Sequence, residues 1–201
     1  MSLDIKYNKT ALREFQKKMN VRKGALPTLK NKEAALRAIV FETRGKLEKA
    51  MSDYQDILKE MKPWKALWKE YDSDFELLEI QDIKVEEMKV AGIKLSSFNG
   101  IEFNTPDFSY AVFPNWYPEG LAAMKVLLAA KVKYQLLEKQ LVLLEDARKK
   151  ATQKVNLYEK VQIPALESAI RQIKRYLEDE DNLSKASQKL LKLKIHKQAL
   201  V

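Results

Sequence analysis

Apolar residues recur at heptad spacing along two long stretches of this chain, and each stretch predicts a helix that needs a partner. From about Ala122 to Glu180 the run holds one proline, Pro164, and no glycine. A three-then-four step places Leu127, Ala130, Tyr134, Leu137, Leu141, Leu144, Arg148, Ala151, Val155 and Tyr158 on one seam. That is the a/d pattern of a coiled coil, broken only by Arg148. At 1.5 Å rise per residue a continuous helix over this run is roughly 90 Å long, far more than a compact domain of this size spans. After Pro164, the residues Leu166, Ile170, Ile173 and Leu177 keep the spacing but sit one residue later in the heptad. A proline lacks its N–H, and no cap or turn residues surround this one, so the expectation is a helix that bends at Pro164 without ending.

The second periodic stretch lies at the N-terminus. Residues 9–23 place Leu12, Phe15 and Met19 on one side of an amphipathic helix, with Val21 left open as a fourth member. Gly24 and Pro27 follow, and they leave two readings open, a broken helix or one long helix kinked near 24–27. From Leu29 the heptad is regular, with Leu29, Leu36, Thr43, Ala50 and Ile57 in one column and Glu33, Val40, Leu47, Tyr54 and Met61 in the other. An apolar seam of about 50 Å does not stand alone in water. The C-terminal run is the one element of the chain long enough to cover it.

Between the two, the pattern changes. Pro63 marks a break, after which Trp64, Leu67, Trp68, Tyr71, Phe75 and Leu78 recur at helical spacing, an apolar stripe of core or interface anchors. Over residues 80–104 the period falls to two, and Ala91-Gly92 and Asn99-Gly100 supply turn chemistry. The pattern predicts a β-hairpin, with a third short strand at Ile101 to Phe103 left open. Pro106, Pro114 and Pro118 then space an aromatic loop before the long helix starts near Glu119. The fold predicted is mainly α, a long antiparallel two-helix coiled coil with a middle insertion containing a short helix and a β-hairpin. Its parts are residues 1–62, residues 63–118 and residues 119–201 with their basic tail.

Charge adds an asymmetry. The net charge of the 201 residues is +9. Residues 1–23 hold seven Lys/Arg against Asp4 and Glu14, a net +5, and residues 182–201 hold five lysines and no acid, again +5. Residues 64–107 hold ten acids against five lysines, a net −5. If the terminal helices pair, one pole is basic, which admits nucleic acid, a membrane surface or an acidic protein as partner. The lysines interleave with apolar residues in a helical pattern and do not cluster with aromatics, which favours a protein contact. There is no cysteine, hence no disulfide and no thiol catalysis. No apolar stretch resembles a signal peptide or is long enough to span a bilayer, so the chain reads as cytosolic, soluble or peripheral.

A search for chemistry finds none to assign. His196 is the single histidine and sits in the Lys-rich tail, so neither a histidine dyad nor a histidine metal cluster can be built within one chain. Carboxylates occupy helix positions beside lysines, the usual pattern of surface ion pairs. Phosphate-loop and dinucleotide fingerprints are missing. No catalytic, cofactor-binding or metal residue is expected.

One segment resembles a known family. Val155-Asn156, Glu159, Ile163-Pro164, then Ile170, Ile173, Leu177 and the acids Glu178 to Glu180 are similar to the corresponding run of the D subunits of V-type/A-type rotary ATPases. Thr28 to Leu36 looks like that family's Leu-Lys-x-Lys segment, and Met88 to Leu95 resembles its hairpin. Three departures stand out: Gln153-Lys154 where the family carries two arginines, Pro27 where it favours an uninterrupted helix, and Lys9-Thr10 where it has Pro-Thr.

The resemblance implies a non-catalytic rotor shaft with no cofactor, peripheral to the cytoplasmic face of a membrane. Its partners would be the catalytic A and B subunits, the F subunit and the subunit that caps the membrane ring, with no nucleic acid and no membrane insertion. On that reading Leu12, Phe15, Met19, Lys189, Leu190 and Leu193 belong to a pole inside the catalytic hexamer. Trp64, Trp68, Tyr71, Phe75, Val90 and Ile93 would meet the F subunit or the cap. Two rival classes stay in view. A prefoldin-like chaperone also places hairpins between coiled-coil helices, but it has no place for the helix after Pro63 or the aromatic loop. A nucleic-acid-binding coiled coil predicts affinity that falls steeply with salt.

Overall fold

In the computed structural model, residues 4–69, 78–105 and 114–198 are described, with side chains as far as Ile195. The order is α1 (Lys9–Glu60), α2 (Lys62–Lys69), β1 (Glu79–Val90), β2 (Ile93–Asn104), α3 (Tyr117–Asn156), a π-helical turn (Leu157–Gln162) and α4 (Ile163–Gln198). Tyr71, Phe75 and most of the expected aromatic loop lie outside the described residues. The chain divides into two units, residues up to Glu33 with those from Ala151 onward, and residues Ala34–Lys150.

In the first unit, α1 starts at a true cap. The Asn8 side-chain oxygen accepts the Ala11 N–H at 2.7 Å, satisfying one of the helix's orphan donors. The helix then passes through Gly24 and Pro27 without ending. A proline inside a helix costs about 3 kcal/mol, and packing on either side offsets it. Phe15 joins Leu166, Ile170 and Ile173 in a buried cluster, with Ile5, Ala11, Leu12, Met19 and Leu177 against it. Lys23 pairs with Glu167 at 2.7 Å and Lys30 with Glu159 at 2.6 Å. Thr152 Oγ1 donates to Glu33 Oε1 at 3.1 Å. Each step forward along α1 is matched by a step back along its partner, so the pairing is antiparallel.

The phase change near Pro164 takes the form of a widened turn just before the proline. Residues Leu157–Gln162 form a π-helical turn, and the Ile163 N–H bonds the Tyr158 oxygen five residues back. A π-turn accommodates one extra residue, and one residue is the displacement of the seam. Ile163, Leu166, Ile170 and Ile173 are buried in the new phase, as Val155 is in the old one. The proline explains the position of the widened turn. Its ring would crowd the carbonyl four residues earlier and it has no N–H to offer, so the α pattern is weakest just before it.

In the second unit, Leu36, Val40, Thr43 and Ala50 of α1 are buried, as are Met61 just after it and Leu121 and Leu144 of α3. Arg44 meets Glu145 at 2.6 Å, and Tyr54 stacks on Tyr134 with ring centroids 6.2 Å apart, again antiparallel. Every residue of both predicted columns of α1 and of the predicted α3 seam is buried or half-buried. The hairpin is two-stranded, joined by Ala91-Gly92 with φ of 52° and 86°, the positive pair that a type I′ turn requires.

Ile101 to Phe103 is not a third strand; it continues β2. Asn99 is the surplus residue between Lys84↔Gly100 and Val85↔Phe98, so Asn99-Gly100 forms a bulge and not a turn, with Gly100 supplying a φ of 145°. The Gln140 amide donates to the Ser96 carbonyl, and Lys125 Nζ lies 5.9 Å from the Phe103 ring centre, which seats β2 on α3.

Candidate partner-docking surfaces

Among the described residues, no three His, Cys, Asp or Glu side chains form a group that could hold a metal ion. No helix of the described residues is long and apolar enough to cross a membrane. The displaced titrations belong to exposed ion pairs. A hydrogen bond from Lys23 holds the Glu167 carboxyl below its usual range, Lys46 does the same for Glu42, and Glu102 raises Lys84. Such pairs fix side chains on a surface and offer no poised acid or base.

The first surface is the end of α4. Every side chain from Glu178 to Ile195 is exposed, including Leu183 at 70%, Leu190, Leu191, Leu193 and Ile195. Lys185, Lys189, Lys192 and Lys194 stand between them. Leu177 packs against the buried cluster, and the Tyr176 ring lies 5.0 Å from that of Tyr7. Of the residues assigned to the same pole from sequence, Phe15 is buried in the helix pairing and Leu12 and Met19 are half-buried against it. Their apolar surface packs within the helix pairing, and the exposed apolar residues of the pole include Val21 of α1 beside those of α4.

The second surface is an aromatic nest in the other unit. Trp68 meets Trp116 edge-on at 5.0 Å and Tyr117 at 5.9 Å, and Trp64 lies 6.4 Å from Trp116. Gly120 makes the nest possible, because a Cβ there would stand 3.0 Å from Trp68 Cζ2 and 3.2 Å from the Trp116 ring. Tyr117 is buried; Trp64 and Trp68 are half-buried, as are Val90 and Ile93 beside the hairpin turn. Along β1, Ile80, Ile83, Val85 and Met88 remain exposed.

Two further features were not singled out from sequence. Phe41, next to the seam residue Val40, is 81% exposed in mid-helix. Its place just outside the two columns was the available signal. The other is a groove of about 160 Å³ beside the π-turn, lined by Phe15, Lys18, Arg22, Val161, Gln162, Ala165 and Leu166. No periodicity reports it, because it depends on the widening of one turn. The family-motif residues surround that turn. Val155 and Ile163 are buried on either side of it, Asn156 and Pro164 are exposed, and Glu159 reaches Lys30.

Comparison with known proteins agrees on one family. The model of the family described as the ATP synthase D subunit matches residues 11–193. The V-type ATP synthase D subunit of Borreliella burgdorferi is 25% identical over 188 residues, 94% of this chain and 93% of the relative. Those of Chlamydia trachomatis and Chlamydia muridarum are 25% and 26% identical over 198 residues, in each case 97% of this chain and 98% of the relative.

Proposed function

The chain belongs to the family of ATP synthase D subunits, and on that premise we propose that it is the central rotor shaft of a V-type rotary ATP synthase or ATPase. In this reading the paired N- and C-terminal helices stand within the hexamer of catalytic A and B subunits. The F subunit binds along the middle, and the insertion around α2 and the hairpin rests on the subunit that caps the membrane ring. The shaft is non-catalytic. It carries torque between ATP turnover in the hexamer and proton or sodium movement through the ring, at the cytoplasmic face of the membrane.

The observation that carries the reading is the paired seam. Torque passes along two helices only if they do not slide past one another. Heptad packing resists sliding because each apolar side chain occupies a hole formed by its neighbours. Cross-helix pairs such as Lys23 with Glu167 and Arg44 with Glu145 add stops in each unit. The exposed basic and apolar end of α4 supports a collar of protein around it, since solvent alone leaves its leucines uncovered.

The test is rotation. The chain is assembled with its own A, B and F subunits, a bead is attached at the exposed hairpin residue Glu87, and ATP is added. ATP-driven turning of the bead is the expected result. An assembled hexamer that hydrolyses ATP while the bead stays still would overturn the proposal.

A further inference from the structure

The groove beside the π-turn has a chemistry that its own unit leaves unanswered. Its floor is apolar, with the buried Phe15 and Leu166 and the half-buried Ala165, and the exposed Val161 forms one wall. Its rim is cationic. Lys18 Nζ lies 5.6 Å from the Phe15 ring centre. Arg22 is held by three contacts, none of them to a carboxylate: Nε donates to Gln162 Oε1 at 2.6 Å, Nη1 donates to the Lys18 carbonyl at 3.1 Å, and the guanidinium sits 6.0 Å from the Tyr158 ring centre. An adjoining hollow shares Lys18 and Arg22 and adds Lys17, Glu14 and Val21, the last 64% exposed.

The cations of this unit divide into two sets. Lys23 and Lys30 are matched by Glu167 and Glu159 across the helix pair. Lys17, Lys18 and Arg22 have no carboxylate within ion-pair distance among the described residues. Arg22 in particular is fixed in place before anything anionic arrives, so little freedom is lost when a carboxylate joins it. The volume is suited to one side chain, since a cavity of about 150 Å³ takes a benzene ring.

We propose that this groove is a docking point for a protein loop that offers one large apolar side chain with a carboxylate beside it, the apolar group entering between Phe15, Val161 and Ala165 and the carboxylate meeting Lys18 and Arg22. The inference rests on the shaft reading, which surrounds this unit with the catalytic subunits and makes the loop theirs. It adds that contact with the collar is localised where the π-turn opens the helix surface.

The experiment uses the full chain and the A and B hexamer of its own complex. Lys18→Glu reverses the rim charge at an exposed residue, and Val161→Asp places a like charge at the mouth. Both should keep parental helicity by circular dichroism and weaken binding to the hexamer by about tenfold or more, equivalent to 1.4 kcal/mol or more. The loss from Lys18→Glu should shrink at high salt. A photoreactive benzoylphenylalanine at position 161 should cross-link to a hexamer peptide holding an acid next to a large apolar residue. If the parent chain assembles and both variants bind as tightly as it does, or position 161 links only to peptides without an acid, the inference is overturned while the shaft reading stands. Failure of the parent chain to join the hexamer at all overturns both.

Discussion

Deleting one residue from the π-turn tests whether that turn is an inserted residue in an otherwise regular pairing. Lys160 is the choice, because it is exposed and makes no ion pair among the described residues, whereas Glu159 holds Lys30. Without Lys160 the seam runs from Val155 and Tyr158 to Ile163, Leu166, Ile170 and Ile173 in one unbroken three-four phase, and no apolar side chain leaves the core. Pro164 is then forced into a regular α-helix, at a cost of about 3 kcal/mol. For a chain of this size each kcal/mol moves the midpoint by roughly 2–4 °C, so the single deletion should melt roughly 6–12 °C below the parent.

Adding Pro164→Ala to the deletion removes the penalty, and the double variant should return to within a few degrees of the parent. Deleting Ser168 is the control. It leaves the π-turn in place and rotates Ala169, Ile170, Ile173 and Leu177 off the seam. At about 1.5–3 kcal/mol for each large side chain, that should cost 5 kcal/mol or more. Thermal unfolding followed by circular dichroism at the helical band reads all three. A double variant that melts as low as the Ser168 deletion would refute the account of the phase change.

Four other outcomes follow from particular contacts. Gly120→Val should open the Trp68–Trp116 nest, since its Cβ would crowd Trp68 Cζ2 at 3.0 Å and its two methyls need further space, and the tryptophan fluorescence should shift to the red; an unchanged spectrum counts against the close packing. Glu167 has a folded pKa below its unfolded one, so its pairing with Lys23 stabilises above the unfolded value and fades as pH falls through the folded value. Lys23→Met should therefore flatten the acid limb of the stability profile, and an unaltered limb would show that the pair contributes nothing there. Arg148→Leu removes a buried Nε with no hydrogen-bond partner and should raise the urea midpoint by an amount on the order of 1–3 kcal/mol in stability; a lowered midpoint means that the guanidinium is needed. Removal of residues 185–201 should leave the helix pairing folded and lower ATP hydrolysis coupled to rotation, and full coupled activity after truncation would exclude a role for that end.

The architecture was legible because it rests on periodicity. A seam of a/d positions needs only sequence spacing, and the expected columns of α1 and α3 are the residues the structure shelters. The same spacing settles the open question at Gly24 and Pro27. Leu12, Phe15, Met19, Arg22, Leu26, Leu29 and Glu33 keep one heptad phase across both, all of them buried or half-buried, so one helix continues through the proline. Where a local residue overrides the period, sequence misleads. Asn99-Gly100 carries turn chemistry but sits opposite a continuous strand, and pairing with β1 turns it into a bulge. Pro164 marked the place of the phase change, and the widened turn before it is a form that spacing alone does not specify. The docking surfaces were the least legible. A groove made by one π-turn and a pair of oriented cations exists only after the helices have met.

The distribution of uncovered apolar surface argues that much of this chain's chemistry is completed by other molecules. Within the helix pairing, the seam positions are sheltered as far as Leu177, while Val21, Val142 and Leu143 off the seam are more than half exposed. Beyond it, α4 carries five large apolar residues, each more than half exposed, on a helix studded with lysine. Phe41 is 81% exposed in mid-helix, and Lys18 and Arg22 at the groove beside the π-turn have no carboxylate within ion-pair distance among the described residues. Exposed apolar side chains scattered singly require no explanation. Five on one helical segment do, because every described side chain of that segment from Glu178 to Ile195 is exposed and none of its leucines has a sheltered face. A sequence that keeps a seam sheltered from Leu12 to Met61 and leaves Leu183 to Ile195 bare is specified for contact at that end. That division of labour fits a subunit of a larger assembly, as membership of the D-subunit family implies.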